Sequence, residues 1–164
     1  MAGKEHIAVV GAGLMGHGIA QVFAAAGHIV TVYDPDSGAL MTLRERIASN
    51  LEGLGQDSSA QLRVLPVEEL GECVASADFV FEAGPEDLSF KRKLFEQLQL
   101  LAPPHALLAS NTSVIPITRI VQGLRSAHRA MGTHWWNPPY LVPLVEVIKA
   151  PETISSTVSR LTAP

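Results

Sequence analysis

The 164-residue chain has the length of one domain, and its 47% apolar and 17% charged content predicts a packed core rather than disorder. A net charge of −4 without any basic run argues against nucleic acid as a partner. No apolar stretch is long enough for a membrane span, and one cysteine without a secretory leader predicts a cytoplasmic protein with neither a disulfide nor a cysteine-bound metal.

The first part of the chain reads as strands that alternate with helices. HIAVV predicts a strand, the glycine-rich segment after it a tight turn, and IAQVFAAAG a helix whose apolar face includes Ala20, Ala24 and Gly27. IVTVYD predicts the second strand. Residues 36–52 carry helix-favouring side chains and stop before a pair of glycines, so one helix is expected there.

The alternation continues in the second part. DFVFEA predicts a buried parallel strand, and the next helix is expected to begin with Pro85 and to carry Glu86 and Asp87 in its first turn. ALLAS predicts a strand, PITRIVQGL a short helix, RAMGTH another strand and PLVEVIK the last. Such alternation implies right-handed crossovers, so the predicted fold is α/β, a Rossmann-like, doubly wound and mostly parallel sheet in a single domain.

Gly11, Gly13 and Gly16 form a G-x-G-x-x-G pattern between the first strand and the first helix. The first glycine makes the turn, the second lets the backbone approach a pyrophosphate, and the third lets the helix pack on the strand. A helix N-terminus offers N–H groups and a partial positive charge to phosphates, so Leu14 and Met15 are also candidate cofactor contacts.

Asp34 ends the second strand, 18 residues after Gly16. Its carboxylate would accept hydrogen bonds from an adenosine ribose and repel a 2′-phosphate, which favours NAD over NADP. A flavin is the alternative ligand. In the competing interpretation the glycines make only a packing turn and Asp34 caps a helix.

The stretch GTHWWNPPYLVPLVEVI, residues 132–148, sets a histidine and a carboxylate in apolar surroundings. If the strands on either side of the bend at 137–139 are neighbours, Glu146 comes alongside His134, with both faces of the last strand buried. A carboxylate that binds one imidazole nitrogen leaves the other free to accept a substrate proton, as in a general base. A core histidine paired with a structural acid would give the same pattern.

The string ASNTSVIP places polar side chains at the end of a predicted strand, the edge at which open α/β sheets bind ligands. Asn111 is a candidate cofactor contact at this edge, and Ser113 would hydrogen-bond a substrate oxygen. Ser110 and Thr112 are more readily explained as caps of the helix that follows.

Three strings, GAGLMGHGIA, ASNTSVIPIT and GTHWWNPPYLVPLVEVIKAPET, occur in that order over essentially the whole chain and together resemble the N-terminal domain of the 3-hydroxyacyl-CoA dehydrogenase family. The last string is most similar to the branch that contains L-gulonate 3-dehydrogenase (lambda-crystallin), which oxidises a free hydroxy acid. The resemblance implies that His134 is the catalytic histidine, Glu146 its paired glutamate and Ser113 the serine that holds the substrate oxygen. Asn137 matches a family asparagine near the nicotinamide and the substrate.

The resemblance also implies cofactor residues and a reaction. Glu86 and Lys91 match positions that line the ribose and nicotinamide side of NAD. The implied activity, in fatty acid metabolism, is NAD-dependent oxidation of a 3-hydroxyacyl-CoA, with His134 taking the hydroxyl proton as a hydride leaves for the nicotinamide. A dehydrogenase of a free 3-hydroxy acid and a non-catalytic NAD-binding module are the alternatives.

The domain organisation follows from the same resemblance. Residues 1–150 are expected to form the NAD-binding domain and residues 151–164 the start of a connecting helix toward a helical C-terminal domain that this chain lacks. The full-length form is expected to be a homodimer. The segment between Asp34 and Phe79 is shorter than the family's usual helical arm, which leaves three arginines there as candidate phosphate contacts: Arg44, Arg46 and Arg63. Trp135 and Trp136 would either fill the core or narrow an acyl pocket.

Overall fold

The computed structural model describes residues 4–162, in which a seven-stranded sheet lies between two layers of helices. Its strands are β1 (His6–Val10), β2 (Ile29–Tyr33), β3 (Val64–Val67), β4 (Phe79–Glu82), β5 (Leu107–Ser110), β6 (Ala130–Trp135) and β7 (Val145–Lys149). The helices are α1 (Leu14–Ala25), α2 (Ser37–Met41), α3 (Leu43–Gly53), α4 (Leu70–Val74), α5 (Leu88–Leu101), α6 (Ile117–Val121) and α7 (Ser155–Leu161), and short 3-10 segments span Ser58–Arg63 and Arg125–Arg129. Residues 1–3 of the predicted 1–150 domain and residues 163–164 of the predicted 151–164 segment lie outside the described residues.

The strand order is β3-β2-β1-β4-β5-β6-β7, with every neighbouring pair parallel except β6 and β7, which are antiparallel. The predicted doubly wound, mostly parallel sheet is therefore confirmed. The direction of winding reverses between β1 and β4, because β1 pairs with β2 on one side and with β4 on the other. In open sheets of this kind ligands bind at the carboxyl ends of the strands beside such a switch point.

The two faces of the sheet bury separate apolar cores. Val9 packs on the face covered by α1 and α3, whereas Val10 packs on the face covered by α4, α5 and α6. Because successive side chains alternate between faces, Glu82 lies on the second face with Val80, and His134 lies there with Ala130. This sidedness places Glu82 on the face that α5 covers, where Lys91 contacts it.

Four details of the sequence prediction are wrong, and the first two lie in the early part of the chain. The helix expected over residues 36–52 is two helices, α2 and α3, with a break at Thr42. Gly27 does not belong to the apolar face of α1, because the helix ends at Ala25 and Gly27 adopts a φ of +91°, which favours glycine.

The third difference is the start of α5, which begins at Leu88 rather than at Pro85. The carboxylate of Asp87 accepts a hydrogen bond from the Phe90 N–H at 2.7 Å and so caps the helix. Glu86 therefore lies in the preceding loop rather than in the first helical turn. The fourth concerns β7, which was expected to be buried on both faces but is an edge strand with Glu146 and Ile148 exposed.

Residues 4–162 lack two further features. No helix there has both the length and the apolar character that crossing a membrane requires. The same residues contain no cluster of three or more His, Cys, Asp or Glu side chains suited to a metal ion.

Candidate active site

The glycine loop between β1 and α1 is shaped by close backbone contacts. Gly11 has a φ of +111°, and a Cβ there would lie 2.7 Å from the Ala83 carbonyl oxygen. A Cβ on Gly16 would lie only 1.8 Å from the Gly11 carbonyl oxygen. Gly13, in contrast, is exposed and has no atom within 4 Å of the position a Cβ would take. The first and third glycines thus permit packing, and the second leaves open space above the helix.

The N-terminus of α1 offers hydrogen-bond donors to that space. Gly13 is its N-cap and supplies no side-chain cap. Within residues 4–162, the first N–H of the helix to find a backbone acceptor is that of His17, which donates to the Gly13 carbonyl oxygen at 3.1 Å. The N–H groups of Leu14 and Met15 are therefore left for a ligand, as the first turn of a helix generally leaves them.

Asp34 braces the same loop. Its Oδ2 accepts a hydrogen bond from the Ala12 N–H at 2.7 Å, and its Oδ1 accepts one from the Asp36 N–H at 2.9 Å. The helix cap is Asp36, which accepts from the Gly38 N–H, so the interpretation of Asp34 as a cap is wrong. Each carboxylate oxygen of Asp34 keeps a second lone pair for a ligand. A cleft of about 480 Å³ opens between the loop, Asp34 and Gly84.

A buried ion pair lies at the carboxyl ends of β4 and β5. The Lys91 ammonium, 1% exposed, contacts Glu82, 0% exposed, at 2.7 Å to Oε1 and 2.9 Å to Oε2. The Ser110 hydroxyl donates to Glu82 Oε2 at 2.6 Å, and the Gly84 N–H donates to Oε1 at 2.7 Å. Lys91 is thus a buried residue.

Glu86 lies next to this pair and holds the loop after β5. Its Oε1 accepts hydrogen bonds from the Thr112 hydroxyl and from the N–H groups of Ser113 and Val114. Burial raises the pKa of Glu86, but these hydrogen bonds and the Lys91 charge outweigh it, so the pKa lies below its ordinary value. Glu86 is therefore ionised near neutral pH.

The side chains of Ser110 and Thr112 do not cap a helix, contrary to the sequence interpretation. The N-cap of α6 is Pro116, which makes no side-chain hydrogen bond. The two hydroxyls instead donate to the carboxylates of Glu82 and Glu86. Both serve the charged cluster at the sheet edge.

His134 and Glu146 face each other across the antiparallel pair β6 and β7. The Nδ1–H of His134 donates to Glu146 Oε2 at 2.6 Å, and the two side chains are 24% and 51% exposed. Within residues 4–162, Nε2 of His134 makes no hydrogen bond, so it is open to a ligand. The pairing predicted from the sequence is present, although Glu146 is exposed rather than buried.

The two tryptophans beside His134 have different environments. Trp135 is buried in the core, with ring centroids 5.8 Å from Phe23 and 6.0 Å from Phe81. Trp136 is 45% exposed, and its ring lies 5.7 Å from the His134 imidazole. The core interpretation therefore applies to Trp135, while Trp136 forms part of the surface around His134.

Asn111 links the two parts of the sheet edge. Its N–H donates to the Glu82 carbonyl oxygen at 2.8 Å, and its Oδ1 accepts from the Trp135 N–H at 2.9 Å. Ser113 and Asn137 are both exposed, and their side chains make no hydrogen bond within the described part of the chain. The backbone N–H of Ser113 donates to Glu86. Within the described residues, neither Ser113 nor Asn137 forms a hydrogen bond with His134.

Comparison with known proteins identifies the family. Residues 6–163 match the family described as "3-hydroxyacyl-CoA dehydrogenase, NAD binding domain". The chain belongs to the 3-hydroxyacyl-CoA dehydrogenase family.

Individual relatives agree with this assignment. A lambda-crystallin homolog of Bos taurus is 38% identical over 164 residues, covering 94% of this chain and 51% of the relative. L-carnitine dehydrogenase of Streptomyces griseus is 39% identical over 158 residues, covering 94% of this chain and 47% of the relative. The crystal structure of 3-hydroxybutyryl-CoA dehydrogenase from Escherichia coli K12 superimposes with a TM-score of 0.90 at 34% identity, covering 98% of this chain and 35% of that one. The chain thus spans about a third to a half of the length of the relatives it matches.

NAD is the cofactor of this family's domain, and the geometry fits it. Open space above Gly13 and two unbonded N–H groups suit the pyrophosphate, and the cleft beside Asp34 suits the adenosine. The carboxylate of Asp34 follows β2, where the sequence predicts the group that favours a free ribose hydroxyl over a phosphate.

The three arginines that were candidate phosphate contacts are engaged elsewhere. Arg44 Nε donates to the Val64 carbonyl oxygen at 2.7 Å, Arg46 donates to the carbonyl oxygens of Ala12 and Ala39 at 2.8 and 2.9 Å, and Arg63 donates to that of Ala24 at 3.5 Å. Their guanidinium groups therefore support the backbone around α1 and β3 in this structure.

Glu82 is the site residue that sequence reasoning missed. It stands near the end of DFVFEA, a run that is typical of an apolar buried strand, so the local sequence does not single out its charge. The available signal was a carboxylate at the carboxyl end of a central strand with a lysine nine residues later, on the helix that packs against that strand end.

Proposed function

We propose that the protein oxidises the 3-hydroxy group of a 3-hydroxyacyl-CoA with NAD, and that His134 is the general base. The observation that carries this proposal is the 2.6 Å hydrogen bond from His134 Nδ1–H to Glu146, which leaves Nε2 without a partner within residues 4–162. Membership of the family and the position of His134 at the carboxyl end of β6 support the same function.

The role of each residue follows from which of its polar atoms has no hydrogen-bond partner within the described residues. Bound NAD supplies the nicotinamide ring that accepts the hydride. His134 Nε2 takes the proton of the 3-hydroxyl group, and Glu146 orients the imidazole and stabilises the imidazolium that results. The hydroxyl of Ser113 holds the substrate oxygen, and Asn137 contacts the substrate and the nicotinamide side.

The cofactor is held by residues that follow four strand ends and by Lys91 of α5. The glycine loop gives the pyrophosphate the N–H groups of Leu14 and Met15, and Asp34 accepts the adenosine ribose. Lys91, Glu86 and Asn111 lie on the ribose and nicotinamide side. In this arrangement residues 1–150 form the NAD-binding domain and residues 151–164 begin a connecting helix.

A free 3-hydroxy acid is the second candidate substrate class. Similarity to an L-carnitine dehydrogenase and to a lambda-crystallin homolog favours it. So does the segment between Asp34 and Phe79, which is shorter than the helical arm that the resemblance implies. The third candidate, a non-catalytic NAD-binding module, is motivated by the fraction of the relatives that the chain spans. The cytoplasmic location, the homodimer and the role in fatty acid metabolism stay predictions.

The test is NADH formation from 3-hydroxybutyryl-CoA and from free 3-hydroxybutyrate, measured together with NAD affinity. We expect turnover of the thioester, a loss of about 10²- to 10⁴-fold in His134→Gln, and an unchanged NAD dissociation constant in that variant. His128→Gln is the matched control, because His128 is an exposed histidine on the 3-10 segment before β6. Preferential turnover of the free acid would show that a 3-hydroxy acid, not the thioester, is the substrate. NAD binding without turnover would favour the non-catalytic NAD-binding module.

A further inference from the structure

We propose that Glu82 is a positioning residue for the cofactor: it fixes the Lys91 ammonium so that one N–H of Lys91 and Oε2 of Glu86 lie side by side as a donor and an acceptor for ribose hydroxyls. This inference rests on the proposed function, in which Lys91 and Glu86 contact NAD. It assigns a role to a buried carboxylate that the resemblance to the family did not single out.

The first step is that the Glu82 carboxylate has no hydrogen-bond acceptor position left for a ligand. Its Oε1 accepts hydrogen bonds from Lys91 Nζ and the Gly84 N–H, both at 2.7 Å. Its Oε2 accepts from Lys91 Nζ at 2.9 Å and from the Ser110 hydroxyl at 2.6 Å. These contacts occupy about all four lone-pair positions of a carboxylate. Glu82 can therefore influence the cofactor only through the groups it holds.

The second step is that Lys91 keeps one donor unused. An ammonium group has about three N–H donors, and two of those on Lys91 bind the oxygens of Glu82. Within residues 4–162 the ammonium makes no other hydrogen bond, and Glu86 Oε2 is 3.7 Å away, beyond hydrogen-bond distance. Because the side chain is 1% exposed, its rotamer freedom is already lost before any ligand binds.

The third step is that Glu86 presents one free oxygen beside that donor. Its Oε1 is taken up by Thr112, Ser113 and Val114, whereas its Oε2 contacts only Lys91. A ribose hydroxyl both donates and accepts, so it can donate to Glu86 Oε2 while the same or the neighbouring hydroxyl accepts from Lys91. The vicinal hydroxyls of a ribose match this pair.

The fourth step is that Glu82 keeps the pair open. Glu86 is the other carboxylate within ion-pair distance of Lys91, so an ammonium released by Glu82 would move onto Glu86 Oε2. Donor and acceptor would then satisfy each other, and a ribose would have to break their contact in order to bind. Glu82 prevents this because its two oxygens hold the ammonium at 2.7 and 2.9 Å, whereas Glu86 Oε2 is 3.7 Å away.

A double-mutant cycle on NAD affinity tests the inference. Titration calorimetry of the 164-residue chain should give an NAD dissociation constant about tenfold higher in Glu82→Gln than in the unmodified protein. In the background of Lys91→Met, the same Glu82→Gln change should alter the constant by less than about twofold, because Glu82 acts through Lys91. Glu96→Gln, on an exposed face of α5, is the matched control and should bind NAD normally.

The possible outcomes separate this inference from the proposed function. If the unmodified chain fails to bind NAD, the proposed cofactor site itself is wrong. If it binds NAD but Glu82→Gln binds equally well, or if the two changes are additive, only the positioning role is overturned. A purely structural role would lower the melting temperature without changing the NAD affinity of the folded protein.

A measurement on the unmodified protein covers the case in which a single variant does not fold. The double variant Glu82→Gln/Lys91→Met removes both charges together and so leaves no unpaired buried ion. Selective ¹⁵N labelling of lysine should show one ammonium signal that exchanges slowly with water, absent from that double variant, and NAD should shift it. An ammonium signal that exchanges rapidly, or that NAD leaves unmoved, would contradict the inference.

Discussion

The sheet edge carries two acid–base pairs that differ in burial. Glu82 and Lys91 are 0% and 1% exposed and lie on central elements; they make two hydrogen bonds with each other, and Glu82 accepts two more from its surroundings. Glu146 and His134 are 51% and 24% exposed, and Glu146 stands on the edge strand β7. Removing one member of a buried pair leaves a charge in low dielectric, whereas an exposed pair contributes little to stability.

This difference indicates how the two pairs serve the site. The buried pair is a rigid part of the framework, so changing it should affect folding and cofactor geometry together. Substitutions in the exposed pair should change the free energy of unfolding little, so their effect should appear in the reaction rate alone. Lys91→Met and Glu146→Gln test this contrast directly, and variants of the glycine loop and of His17 test the framework around the cofactor.

Lys91→Met should lower the free energy of unfolding by about 3–5 kcal/mol, because it strands the Glu82 carboxylate without a cation. Lys93→Met, two residues along on the exposed side of α5, should change it by less than about 0.5 kcal/mol. Urea denaturation followed by circular dichroism measures both. Equal stability of the two variants would show that burial of the ion pair has no energetic consequence.

Gly16→Ala should lower the free energy of unfolding by about 1–3 kcal/mol or more, because its Cβ would lie 1.8 Å from the Gly11 carbonyl oxygen. Gly13→Ala should fold normally, because no atom lies within 4 Å of its Cβ position, but it should weaken NAD binding by filling the space meant for the pyrophosphate. Melting curves with and without saturating NAD separate the two effects. If NAD stabilised Gly13→Ala as strongly as the original protein, the pyrophosphate would not bind at this loop.

Glu146→Gln should change the free energy of unfolding by less than about 1 kcal/mol, because its carboxylate is half exposed. The same change should slow the dehydrogenase reaction by about 10²-fold or more, since the imidazolium loses its counter-charge. A large loss of stability would make the pair structural, which is the alternative that the sequence left open.

The smallest effect is a pH dependence at His17, the residue under the glycine loop. Burial lowers its pKa below the ordinary value of 6.5, although the hydrogen bond to the Gly13 carbonyl opposes this. Because the unfolded chain then binds the proton more readily, the contribution of His17 is present above pH 6.5 and is lost as the pH falls below it. Melting temperatures of the original protein should therefore fall more steeply on acidification than those of His17→Asn. Parallel curves for the two proteins would contradict the shift.

Much of the fold was accessible from local patterns. The strands β1, β2, β4 and β5 are apolar runs bounded by turn residues, and the glycine loop has its context in the residues on both sides. β3 was missed because VLPV is four residues long and contains Pro66, which removes a backbone donor. α4 was missed with it, being a helix of five residues, too short for an apolar period to show.

The site was predictable where one residue pairs with another across a short connection. His134 and Glu146 are 12 residues apart, and a single bend brings them together. The exposure of Glu146 was not predictable, because it depends on β7 being the last strand in the order rather than on its own sequence. The role of Glu82 was hidden for a related reason: its partners Lys91 and Ser110 come from α5 and β5, and only the packed sheet shows that all three meet.

The side chain of Asn111 has a mechanical consequence. Its amide oxygen accepts a hydrogen bond from the backbone of β6 one residue after His134, and its own backbone N–H donates to Glu82 at the end of β4. In the proposed function, the cofactor-binding strand end and the strand that carries the base are therefore joined through this one side chain, so loss of the Asn111 amide would uncouple them.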